Sequence, residues 1–246
     1  MKRESQNNQG TIPTGFSTMT SSVEYADNYN SWILKEYKPF IGKNILEIGT
    51  GQGNFKKYLK SSCSNYVSID IDGDVINRAI QRDPEGIYLN ISITDPECVN
   101  VLKQYKFDTI ICFNVIEHIS EAEVAISNMI EILASKGNLL LFVPAFPSLY
   151  NSMDQLAGHF RRYTKESLVK SINSNKSIIS KMEYFNFIGG IGWYFNKLIK
   201  HKDLDSKSLN TQMKFFDKFI VPFSKLINPI TKNIFGQSLL LVLNKK

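Results

Sequence analysis

The chain has 246 residues, a formal net charge of +6 and an ordinary globular composition, 43% hydrophobic and 21% charged. That length suits one domain with an elaboration, and no apolar run reaches the ~18 residues that cross a bilayer. The polar start MKRESQNNQGTIPTG lacks the apolar stretch of a secretory signal. The three scattered cysteines, Cys63, Cys98 and Cys112, argue against a disulfide framework or a CxxC metal site and fit a reducing cytoplasm.

Residues 1–22, rich in Ser, Thr, Asn and Gln, are expected to be disordered, and residues 23–246 to form one domain. Tyr25, Tyr29, Trp32, Ile33 and Tyr37 recur at helical spacing and predict a helix over Val23–Phe40. Strands and helices then alternate. Asn44–Ile48, Tyr66–Ile71, Ile87–Ile91, Phe107–Phe113 and Asn138–Val143 read as strands. Asn54–Lys60, Val75–Arg82 and Glu121–Ala134 read as helices, the last closed by Gly137 at C′. Continuously apolar strands between helices predict a parallel sheet covered on both faces. After Pro144 a loop, Ala145–Tyr163, leads to a helix at Lys165–Ile172 and two late strands, Ser177–Phe185 and Gln237–Asn244. An aromatic, basic, helical insert over about 188–235 lies between them. The predicted fold is α/β, doubly wound and Rossmann-like, with seven strands and an antiparallel last member. The chain is net acidic up to Gln155 and net basic beyond it, so the C-terminal part is the side expected to meet an anionic partner.

The segment ILEIGTGQGNF, Ile45–Phe55, places Gly49, Gly51 and Gly53 between a strand and a helix. Glycines there permit positive φ and close approach of backbone to a ligand. Asp70, about 20 residues on at the end of the next strand, suits two ribose hydroxyls. The pattern is G-x-G-x-G, not the dinucleotide G-x-G-x-x-G, and Glu47 stands two residues before the first glycine. A carboxylate is poorly placed beside a pyrophosphate but suits a ligand with cationic groups, such as S-adenosyl-L-methionine.

These stretches, with YVSIDID, FDTIICFNVIEHI and LLLFVPAF, resemble the ordered motifs of class I S-adenosylmethionine-dependent methyltransferases. The likeness is closer to a bacterial subgroup found alone or fused to glycosyltransferases. That subgroup carries a stretch similar to FVPAFPSLYNSMDQLAGHFRRYTKESL and a later YFN…GW, here Tyr184–Asn186 with Trp193. The resemblance runs roughly from Tyr25 to the C-terminus. It implies that Gly49, Thr50, Gly51 and Gly53 pass around the methionyl part and ribose of the cofactor, and that Glu47 anchors the loop and the ligand's amino end. It further implies that Asp70 binds the ribose, Ile71 packs on the adenine, Ser92 and Ile93 meet the adenine edge, and Asn114 faces the methionyl group. The family often has Asp where this chain has Ser92, whose hydroxyl can still hydrogen-bond. S-adenosyl-L-homocysteine is the implied product.

A hydroxyl acceptor needs a base of pKa near 7, and histidine is the natural choice. His159 in GHFRRY and His118 in NVIEHI both follow strands whose carboxyl ends hold ligands in such folds, and His159 ranks first. His118 can instead organise the next helix with Glu117. His201, among charged neighbours, reads as surface. The adjacent Glu117–His118 pair is also a type of pair that contributes to metal sites, but no other ligands stand at a recognisable spacing, so no metal is expected. Asp154, Arg161, Arg162 and Tyr163 cluster with His159 as candidate acceptor contacts, Arg forks being suited to carboxylate or phosphate. Tyr25, Tyr29 and Trp32 can close over the site or pack on the sheet. The aromatic insert, with Trp193, Phe215 and Phe219 among Lys197, Lys214 and Lys218, is core, an acceptor lid, or a surface that leans on a membrane.

The expected activity is methyl transfer to a small polar acceptor, a hydroxyl of a sugar-containing, phosphorylated or lipid-linked metabolite. An N-methyltransferase acting on a small amine is the alternative. The expected location is the cytoplasm, with the inner membrane face as an extension of it. Nucleic acid is not expected as a partner, since the chain lacks an N-P-P-Y type motif and a recognisable RNA-binding module. A non-catalytic cofactor-binding protein and a dehydrogenase are the rivals, and the oligomeric state stays open.

Overall fold

The computed structural model describes residues 26–51, 53, 55–172, 175–198 and 207–246. Tyr25 and His201 lie outside the described residues, as does the expected disordered stretch 1–22.

In chain order the first elements are α1 (Asp27–Tyr37), β1 (Asn44–Ile48), α2 (Lys56–Leu59), β2 (Asn65–Asp70), α3 (Gly73–Arg82), β3 (Ile87–Asn90) and α4 (Cys98–Lys103). Next come β4 (Thr109–Phe113), α5 (Ala122–Ile132), β5 (Asn138–Pro144), α6 (Ser152–Leu156), α7 (Lys165–Lys170) and β6 (Ser177–Phe185). The chain ends with α8 (Phe187–Asn196), α9 (Lys207–Phe215), α10 (Val221–Thr231) and β7 (Ser238–Lys245). One wide π-turn, Phe216–Ile220, links α9 to α10.

The seven strands form one sheet in the order β3-β2-β1-β4-β5-β7-β6. The first five are parallel, and β7 runs antiparallel to both β5 and β6. The order reverses between β1 and β4, which places the carboxyl ends of those two strands at the topological switch point. β6 is an exposed edge, bulged between Ile179 and Lys181. Its Lys181 and Glu183 carry the ion pairs that blunt such edges.

The strands are apolar throughout because both faces are covered. Alternate residues of β4 and β5 go to opposite sides. Ile110, Cys112, Leu139 and Leu141 pack with Ala125 and Met129 of α5. Ile111, Leu140 and Phe142 pack with Trp32, Ile33 and Tyr37 of α1. α1 is tied to the helical insert at its first turn, where the buried Asp217 carboxylate accepts from the backbone N–H of Asn28 (3.1 Å) and of Tyr29 (2.9 Å).

Three expectations are corrected. The CVNVLK segment forms α4, which no predicted element covers, and a helix, α6, sits inside the expected loop Ala145–Tyr163. Gly137 does not cap α5, which ends at Ile132. Positive φ falls on Lys136, and Gly137 is there because a Cβ would meet the carbonyl oxygens of Ala134 at 2.9 Å and Asp108 at 3.0 Å.

Candidate active site

Two groups of residues meet at the carboxyl edge of the sheet. The first is the glycine turn after β1. Gly49, Gly51 and Gly53 all take positive φ, and the N–H groups of Gly49 and Thr50 both donate to the Ile69 carbonyl of β2. A Cβ on Gly49 would stand 2.5 Å from a methyl of Val115, so this turn is packed against the one after β4. A Cβ on Gly53 would meet nothing within 4 Å and points into open space.

Glu47 lies beneath that turn, 2% exposed. Its Oε2 accepts from Ser68 Oγ at 3.1 Å and Thr50 Oγ1 at 3.5 Å. Burial pushes its pKa up to about 7, against the lowering effect of the Ser68 hydrogen bond. Asp70, at the end of β2, accepts from Asp72 N–H (3.0 Å) and Gly51 N–H (3.3 Å), and burial raises its pKa. Next to it Ile71 is 57% exposed, an apolar side chain held out at the edge. Ser92 exchanges a hydrogen bond with Thr94 (2.8 Å). The side chain of Ile93 is in the core, so only its backbone is at the edge.

The second group surrounds the end of β4. Asn114 takes the left-handed conformation (φ 53°) and its side chain is exposed. The turn that follows, Ile116–His118, drives Glu117 inward until it is 0% exposed. The loop after β5 is stitched over this turn. Phe160 N–H donates to the Glu117 carbonyl (2.8 Å), the Tyr163 hydroxyl to the Ile116 carbonyl (3.2 Å), and Arg161 to the Ser120 carbonyl (2.9 Å).

These contacts bring His159 and His118 together edge to face, with ring centroids 4.7 Å apart. His159 Nδ1 lies 2.7 Å from Asp154 Oδ1, and Arg162 Nε donates to the same oxygen at 2.9 Å. Burial works against the Asp154 carboxylate, but the His159 hydrogen bond and the Arg162 charge outweigh it and hold the pKa below the usual range. Burial lowers His118 to about 4, so it is neutral. Both carboxylate oxygens of Glu117 are buried, and among the described residues no other residue is their hydrogen-bond partner; burial raises its pKa to about 7.

The candidate acceptor contacts therefore divide. Arg161 is half-buried at the edge. Asp154, Arg162, Tyr163 and Trp32 are buried, and their contacts are with protein: Arg162 reaches the Ala145 carbonyl and stacks on Trp193, and Trp32 packs on Phe185. Tyr29 sits among Phe142, Phe185 and Phe216, and burial raises its phenol to about 12. Glu117, passed over as a site residue, joins the histidines; the adjacent Glu–His pair was its only signal in the sequence.

Residues 24–195 match a family described as a methyltransferase domain. The chain belongs to this family. Its fold uses S-adenosylmethionine, and the groups at the sheet edge suit that cofactor: an acid at the end of β2, an exposed apolar side chain beside it, and glycines with room for a ligand. Among curated proteins, an uncharacterized protein of Methanocaldococcus jannaschii is 26% identical over 161 residues, covering 63% of this chain. The chain spans 64% of that relative's length. Among solved structures, a SAM-dependent methyltransferase from Archaeoglobus fulgidus is similar, with TM-score 0.59 and 18% identity over 89% of this chain and 94% of that one. The N-methyltransferase NodS from Bradyrhizobium japonicum WM9, crystallised with S-adenosyl-L-homocysteine, aligns with TM-score 0.53 and 16% identity over 90% of this chain and 87% of its own. At these identities the likeness is one of fold.

Proposed function

We propose that the chain moves a methyl group from S-adenosylmethionine to a hydroxyl of a small polar acceptor, a sugar-containing, phosphorylated or lipid-linked metabolite. The observation that carries this reading is the Asp154–His159 pair, standing where the β4 and β5 loops overhang the switch point. When bound, the cofactor supplies an activated methyl on a sulfonium, which leaves the protein to align and deprotonate the acceptor. In this reading Asp70 holds the ribose, Ile71 covers the adenine, Ser92 meets its edge, and the glycine turn with Asn114 follows the methionyl part. Glu47 acts from beneath, fixing Thr50 and facing the ligand's positive charge through the turn.

Asp154 accepts the Nδ1 proton of His159, which leaves Nε2 with a lone pair. That atom takes the hydroxyl proton as the oxygen attacks in line. Arg161 stands at the same edge and suits a phosphate or carboxylate on the acceptor. A lipid-linked acceptor is supported by the insert, where Phe195, Phe219, Leu226 and Ile230 are exposed and Lys197, Lys218 and Lys225 lie between them in sequence.

Calorimetric titration with S-adenosylmethionine, S-adenosylhomocysteine and NADH tests the cofactor half. Binding of the adenosyl ligands alone, weakened about tenfold or more in Asp70→Ala, is expected. A screen of sugar nucleotides and glycolipids with labelled methyl groups tests the acceptor. Loss of transfer to a hydroxyl in His159→Gln supports the reading. Transfer to amines only, unchanged in that variant, would replace it with the N-methyl alternative.

A further inference from the structure

The turn after β4 and the loop after β5 assemble more than a proton acceptor. One ligand atom from each of Glu117, His118 and His159 lies within 4.8 Å of the others, a grouping that can hold one ion once the three side chains close on it. Glu117 supplies an independent reason to expect a cation. Its carboxylate has no exposure, and among the described residues no other residue donates a hydrogen bond to either oxygen. A buried carboxylate left so costs several kcal/mol unless a charge or a donor compensates it. The Arg162 charge acts on this carboxylate from a distance, but its hydrogen bonds go to Asp154 and the Ala145 carbonyl.

The His159 imidazole is also set for ligation. A metal-bound His usually gives its other ring nitrogen to a carboxylate or a backbone carbonyl, which fixes tautomer and orientation. His159 does so with Asp154 through Nδ1, which leaves Nε2 uncommitted to that carboxylate. The His118 ring stands edge to face against that of His159, with centroids 4.7 Å apart.

We propose that Glu117, His118 and His159 bind a divalent transition-metal ion. Two nitrogens and one carboxylate suit Zn²⁺, Co²⁺ or Fe²⁺, and three protein ligands leave a position open. The use of that position rests on the hydroxyl-methylation reading above. The acceptor oxygen binds the ion and its acidity rises. Its proton leaves to water, since Nε2 of His159 is then on the metal. An oxygen lone pair forms the C–O bond as the C–S bond breaks, its electrons returning to sulfur, and the ion keeps its oxidation state.

The full chain, stripped with chelator and dialysed, is titrated with CoCl₂ and followed by visible absorption, with ZnCl₂ as competitor. One Co²⁺ per chain is expected, displaced by Zn²⁺. Its affinity should fall about tenfold or more in Glu117→Gln and in His159→Gln, while both variants still bind S-adenosylhomocysteine and so are folded. No cobalt spectrum, or equal binding by the variants, would overturn the site. Full methyl transfer by stripped enzyme in chelator would overturn the catalytic use of the ion and leave His159 as the base. Metal binding is read without an acceptor, so a failed acceptor screen would count against the hydroxyl reading and not against the site.

Discussion

A single oxygen, Oδ1 of Asp154, holds both His159 Nδ1 at 2.7 Å and Arg162 Nε at 2.9 Å. Asp154 is 0% exposed, and its other oxygen accepts the Asn151 N–H at 3.0 Å, which caps α6. One carboxylate thus fixes a helix start, a buried guanidinium and the imidazole. Asp154→Asn should cost about 3 kcal/mol in urea unfolding, because removing one partner of a buried pair leaves the other charge uncompensated. Methyl transfer should fall further than cofactor affinity, because His159 loses its tautomer and the cofactor groups lie elsewhere. Equal losses of both, or a stability within error of wild type, would contradict this assignment.

The glycine turn separates packing from ligand space. Gly49→Ala puts a Cβ 2.5 Å from Val115 at φ +75°, whereas Gly53→Ala has the same strained φ but no neighbour within 4 Å. Left-handed strain alone costs about 1 kcal/mol, so Gly53→Ala should lower stability by that much and Gly49→Ala by clearly more. S-adenosylmethionine affinity should nonetheless drop in both, since the added methyl of Gly53→Ala enters the open space. Thermal unfolding and calorimetry on the two variants check this. Unchanged affinity in Gly53→Ala would remove that turn from the cofactor site.

Glu47 makes the turn sensitive to pH. Its carboxyl is raised from 4.5 to about 7 by burial. The folded protein therefore binds a proton more tightly than the unfolded chain. That contribution is fully present below pH 4.5 and is lost as pH rises through 7. The whole span corresponds to about 3 kcal/mol at most. Glu47→Gln should flatten the decline, being more stable than wild type at pH 8 and equal to it near pH 5. Cofactor affinity in wild type should rise between pH 6 and 8, as the carboxylate forms to face a cationic ligand, and stay flat in the variant. Parallel curves for the two proteins would show that Glu47 titrates elsewhere.

Much of this was legible in the sequence, for identifiable reasons. Continuous apolar runs such as Thr109–Phe113 and Asn138–Pro144 admit one reading once helices alternate with them, so the sheet emerges with ends good to about two residues. The glycine turn with Glu47 and Asp70 is local, and local patterns survive folding. Cys98–Lys103 escaped because six residues with two valines show neither a helical face nor a strand alternation. The polar chemistry of Asp154, Arg162 and Tyr163 suggests exposed side chains. Only the closure of the loop onto the β4 turn, through Phe160 and Glu117, buries them. The orphaned carboxylate of Glu117 is a property of that closure and has no signature in the chain.

The longest-range dependence is that of α1 on the insert. Asp217 lies 188 residues beyond Tyr29 yet serves the first turn of α1, accepting from Tyr29 N–H at 2.9 Å and from the Asn28 N–H and side-chain amide at 3.1 and 3.2 Å. The residue at the helix start, Ala26, offers no side-chain cap, so the insert supplies what the local sequence lacks. Replacing a cap costs about 1–2 kcal/mol. In Asp217→Ala that loss should fall on α1, which carries Trp32, Ile33 and Tyr37 onto the sheet face. Hydrogen exchange over 27–37 should quicken while β1, β4 and β5 stay protected. Asp217→Asn should recover only part of it, since an amide oxygen accepts but carries no charge toward the positive end of the helix. Uniform exchange changes across the sheet would mean instead that α1 unfolds only with the whole domain.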